Sequence, residues 1–131
     1  MSSALAVLNA LPAPVAFDAR ALLDMWFAGK DAKTVRAYRG DLESFARWAG
    51  AGSMGAALEF LLALPAPVAN GAGLRYRGAL IDAGLASATI NRRLAALRSA
   101  VSLARLVGRV TWALEVPSVE AVPYRDTRGC A

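Results

Sequence analysis

TVRAYRGDLESFARW at residues 34–48 and SATINRRLAALRSAVSLA at residues 87–104 are the two stretches on which the fold turns. In the first and just past it, Val35, Tyr38, Leu42, Phe45 and Ala49 recur every three or four residues, the spacing that lines one face of an α-helix. In the second, Ile90, Leu94, Leu97, Val101 and Ala104 do the same, beside a stripe of Asn91, Arg98, Ser102, Arg105 and Arg109. Two amphipathic helices that bury their apolar faces against each other follow, with Tyr38, Leu42, Phe45, Ile90, Leu94, Leu97 and Val101 expected in the core. Asp31 and Ser87 stand where a short acceptor side chain caps the first turn of each.

Working outward, a helix is expected over about residues 17–28, with Asp18 near its start and Gly29 past its end. Another spans 54–64, capped by Ser53 and ended by Pro65 and Pro67. Asn-Gly-Ala-Gly at 70–73 reads as a flexible connection to a helix over about 74–83, stopped by Gly84. Helix five runs to about residue 107, before Gly108. The resulting division is a flexible N-terminal arm at 1–16, a helical domain at 17–110 and an extended tail at 111–131. The fold class is all-α, a compact bundle of four to five helices.

Composition agrees. The chain has 131 residues, enough for one domain with its own core, and its 56% hydrophobic fraction is mostly Ala and Leu rather than strand-forming β-branched residues. The single cysteine, Cys130, can form no internal bridge, which suits a cytosolic protein. Residues 4–16 are apolar, but no Lys or Arg precedes them and Pro12 and Pro14 interrupt them, so they are not read as a secretory signal. No stretch approaches the ~20 apolar residues of a membrane span, and no membrane partner is expected.

Charge points to a polyanion. Residues 1–70 carry six basic and six acidic side chains, whereas residues 71–131 carry nine basic and four acidic, and all nine are Arg. Between residues 87 and 109 there are five Arg and no acid, so no carboxylate at i±4 relieves the repulsion along that helix. Arg92 and Arg93 sit in its first turns, where the helix dipole also attracts phosphate. Asn91 and Arg98, seven residues apart on one stripe, are side-chain types that pair bidentately with adenine and guanine edges. Asp18, Asp24, Asp31 and Asp41 read as caps and surface acids; no cofactor, metal site or small-molecule substrate is expected.

The Thr-x-x-x-Tyr-x-x-Asp-Leu-x-x-Phe pattern from Thr34 to Phe45, followed about forty residues on by Thr-Ile-Asn-Arg-Arg-Leu-x-Ala-Leu-Arg, resembles the core-binding, SAM-like domain of tyrosine recombinases, the phage integrase family. The likeness extends over about residues 18–129. It implies a four- or five-helix bundle closing half of a clamp on double-stranded DNA, with contacts between neighbouring protomers on that DNA. Carried over position by position, it assigns DNA contact to Lys33, Thr34, Arg36 and Arg39, and to Thr89, Asn91, Arg92, Arg93 and Arg98. It implies that residues 124–129 lead into a catalytic domain supplying Arg, Lys, His and the nucleophilic Tyr. This sequence contains no His, and Tyr38, Tyr76 and Tyr124 have no such companions, so a DNA-binding but non-catalytic module of a recombination or integration enzyme is expected. Two other classes fit less of the sequence. One is a helical protein-interaction module, suggested by Leu103 and Leu106 lying off the core stripe; the other is a stand-alone helix-turn-helix regulator.

Overall fold

The structure, a computed structural model, describes residues 18–120. The expected arm at 1–16 and the end of the tail from 121 lie outside them. Among the described residues there are five helices and no strand: α1 (Ala19–Phe27), α2 (Ala32–Ala49), α3 (Met54–Leu62), α4 (Ala66–Asp82) and α5 (Ser87–Leu106). The chain is an all-α bundle.

Short polar side chains start three of these helices. Asp18, Asp31 and Ser53 accept the backbone N–H of Ala21, Thr34 and Ala56 respectively, each satisfying a donor the first turn leaves open. Gly50 closes α2 in the left-handed region at φ 73°, a conformation that a side chain disfavours. The cap of α5 differs from expectation: Ala86 occupies the N-cap, Ser87 is already helical, and no side chain caps the turn.

The larger departure is α4. Residues 70–73 are helix, not connection, because α4 starts at Ala66 with Pro67 in its first turn, where a missing N–H costs nothing. Helix propensity argues against Gly71 and Gly73 in that run; tertiary packing overrides it. Gly73 is buried, and a Cβ there would lie 2.5 Å from Val116 Cγ2 and 3.4 Å from Leu114 Cδ1. The glycine is the space into which the chain's later segment fits.

α5 packs on α1, α2 and α4, and α3 on α1, α2 and α4. Leu42, Phe45, Ile90, Leu94, Leu97 and Val101 are all buried. Tyr38 is only half-buried, at the rim, with its ring against Trp26 at 4.5 Å between centroids. Leu106 is exposed, while Leu103 packs partly against the core.

Residues 110–120 contain no helix or strand but are folded onto the bundle: Val110, Leu114 and Val116 are buried, and Trp112 and Val119 pack against the core. Asn70 on α4 grips this strap with its whole amide, Nδ2 donating to Ala113 O at 3.1 Å and Oδ1 accepting Glu115 N–H at 2.6 Å. A backbone with no strand partner thus has its polar groups satisfied by side chains.

Candidate nucleic-acid interface

α2 presents Lys33, Arg36 and Arg39 on its exposed face, with Gly40 between them and Arg47 and facing open space. Thr34 is half-buried at the capped first turn. The Arg39 guanidinium lies 5.1 Å from the Phe27 ring centroid, which orients it without neutralising it.

The start of α5 crosses α2 at Asp41 and Ser44. Arg92 Nη2 is 2.8 Å from Asp41 Oδ1, and its Nε reaches both carboxylate oxygens. Asp41 is 2% exposed and the Arg92 side chain 59%. Expected as a surface acid, Asp41 is instead buried, because α2 turns it towards α5. A buried carboxylate needs a partner, and Arg92 supplies it. The hydrogen bond and charge of Asp41 in turn hold the Arg92 pKa above its ordinary value.

Arg93 is half-buried and donates from Nη1 to Ser44 Oγ at 2.9 Å. Ser44 Oγ also bonds Tyr76 Oη at 2.9 Å, and burial raises the phenol's pKa. Tyr76 stacks edge-on to Phe45, so it is a core residue with a satisfied hydroxyl. Tyr124 lies outside the described residues. Thr89 is half-buried at the start of α5.

Asn91 and Arg98 are engaged elsewhere. Asn91 Nδ2 donates to Val119 O at 2.9 Å while its Oδ1 accepts Val119 N–H at 2.7 Å. Arg98 Nη1 donates to Val116 O at 2.9 Å, and Arg77 on α4 to Ser118 O. The stripe that suits base edges is therefore the one that the strap occupies. Asn91→Ala removes both bonds and leaves a partly buried N–H and C=O to find water. It is expected to cost about 1 to 3 kcal/mol in denaturant unfolding and to speed amide exchange at Val119; unchanged exchange there would contradict the clamp.

Arg109, past α5, pairs with Glu59 on α3, which also accepts Ala19 N–H at 3.0 Å. So Arg92, Arg93, Arg98 and Arg109 all have partners, each from another element. The hydrogen bond from Arg109 lowers the Glu59 pKa. A carboxyl more acidic in the folded state contributes stability above its unfolded pKa that is lost as pH falls through the folded one. The Glu59 side chain is nearly half exposed, so water screens the contribution. Thermal melts between pH 6 and 3 should show a smaller acid-side fall for Glu59→Gln than for the parent chain; parallel falls would mean that the pair contributes nothing.

The face that remains open is cationic and lies on α2 and the start of α5: Lys33, Arg36, Arg39, Arg47 and Arg92 are exposed. Among the described residues no cluster of His, Cys, Asp and Glu is arranged to hold a metal, and no helix is long and apolar enough to cross a membrane.

No family profile matches the chain, and no solved structure matches it with significance. Two curated proteins do. A tyrosine recombinase of Synechococcus elongatus is 45% identical over 98 residues, covering 73% of this chain and 31% of that protein. A tyrosine recombinase of Synechocystis is 51% identical over 57 residues, covering 43% of this chain and 18% of its own length. The chain thus spans about a third or less of the recombinases it matches. Identity of this order over most of an all-helical chain establishes common descent, and the chain is therefore related to the tyrosine recombinases.

Proposed function

We propose that this chain is the DNA-binding, core-binding module of a tyrosine recombinase, gripping duplex DNA in the cytosol while the strand-transfer chemistry resides in residues other than those described. The observation that carries the reading is the open row of Lys33, Arg36 and Arg39 on α2, with Arg92 alongside, in a chain related to recombinases. Side chains of this kind contact phosphates and fix register without reading sequence. Thr34, Thr89 and Arg93 are half-buried and are assigned to the same interface. Asn91 and Arg98 are assigned to the strap and not to base reading, since each donates to a backbone carbonyl of that segment. Neighbouring protomers on the same DNA are the expected protein partners.

Fluorescence anisotropy with a labelled duplex at graded salt tests the proposal. Three neutralised phosphates, one for each of Lys33, Arg36 and Arg39, give a slope of about −2.7 in log K against log salt, at about −0.9 each. Affinity that stays flat from low to high salt would rule out the electrostatic grip.

A further inference from the structure

α4 turns to solvent a face that its own bundle leaves uncovered. Leu74 is 49% exposed and Ile81 43%, and Arg75 and Asp82 next to them are exposed as well. The ion pairs among the described residues join Arg92 to Asp41 and Arg109 to Glu59, so neither Arg75 nor Asp82 is neutralised by them. Asp82 is the last residue of α4, where the helix dipole disfavours an anion, so it has no local reason to be acidic. Viewed down the axis from Gly78, Leu74 and Ile81 lie about 40° and 60° to one side, and Arg75 and Asp82 about 60° and 40° to the other. Gly78 is thus the midline of the face. Unlike Gly73, it answers to nothing in its own fold: a Cβ there would meet no atom within 4 Å, although glycine is, after proline, the poorest residue for a helix interior.

The face is complementary to itself. Leu74 and Ile81 are seven residues apart, as are Arg75 and Asp82, and the two midpoints fall half a residue either side of Gly78, about 0.75 Å along the axis. A two-fold axis at Gly78, perpendicular to the helix and lying between two copies, runs the helices antiparallel and keeps each flank of the face on its own side. Arg75 of one copy then meets Asp82 of the other at both ends, and Leu74 meets Ile81 likewise, which is the pattern of an isologous contact. A parallel pairing would set Arg75 against Arg75. We infer that α4 is a self-association surface on which a second copy of this chain docks antiparallel, with the helix backbones closest at Gly78, where no side chain holds them apart. The inference goes beyond the DNA-binding reading, uses none of its residues and is tested without DNA, so that either can fail alone.

Sedimentation equilibrium of the full chain decides it, in reductant so that Cys130 cannot crosslink copies. The parent chain is expected to pass from monomer to dimer as its concentration rises from micromolar to millimolar. Arg75→Glu and Asp82→Arg each set like charges against one another at both ends of the contact, and each variant should stay monomeric. Their equimolar mixture restores opposite charges at both ends and should dimerise as the parent does, a rescue that misfolding of either variant cannot produce. Gly78→Leu, whose Cβ the monomer has room for, should keep its helical circular dichroism and lose the dimer. A parent chain that is monomeric throughout, a mixture that stays monomeric, or single-charge variants or a folded Gly78→Leu that associate as the parent does would each overturn the assignment.

Discussion

Lys33→Glu, Arg36→Glu and Arg39→Glu combined should take duplex binding below detection while leaving the bundle folded. A charge-assisted hydrogen bond is worth about 1.5 to 3 kcal/mol, so three lost contacts remove about 4.5 to 9 kcal/mol before any repulsion. Non-specific DNA affinities lie at roughly 10⁻⁴ to 10⁻⁶ M, equivalent to about 5.5 to 8 kcal/mol, which that loss largely consumes. The fold is insulated because all three side chains are exposed and the one packing interaction among them is Arg39 over Phe27. Anisotropy titration measures the loss and circular dichroism the fold. Reversal of Arg20, exposed on α1, is the control and should change affinity little. If the triple variant bound as the parent does, α2 would not be the DNA-facing helix.

Gly73→Val carries the largest expected stability effect. The new Cβ would stand 2.5 Å from Val116 Cγ2, closer than non-bonded carbons approach, and the neighbour is a short branched side chain that cannot swing aside. α4 is held by α5 and α3, so the strap gives way. Expelling Val116 and Leu114 returns two buried apolar side chains to water at about 1.5 to 3 kcal/mol each, a loss of about 3 to 6 kcal/mol. Urea unfolding reads the loss, and amide exchange at Glu115 and Val119 shows whether the strap has left. Full stability would mean that the strap contributes nothing to the fold.

The helices that pack most regularly were the legible ones. In α2 and α5 the apolar stripe has helical period and real caps or stops, and Leu42, Phe45, Leu94 and Leu97 fall inside as spaced. The first half of α4 was hidden because Gly73 serves a contact with residues some forty positions away, and local reading cannot see a neighbour so distant in sequence. The same blindness affected charge. α5 lacks acids at i±4, yet Asp41 from α2 answers Arg92, and Glu59 from α3 answers Arg109 just beyond the helix. An acid-free basic helix in sequence becomes a partly neutralised one in space. Nor did type and spacing reveal that Asn91 and Arg98 bond the strap, because the same donors that suit a base edge suit a backbone carbonyl.

The strap also sets the mechanical boundary of the domain. Asn70 fastens it to α4 and Asn91 and Arg98 fasten it to α5, so the backbone is anchored at successive points up to Val119. Any pull or twist applied to the chain further on is delivered to α4 and α5 together as to one rigid body, without slack. A tilt of α5 would travel outward along the same ties, making residues 113–119 a drive shaft and not a tether.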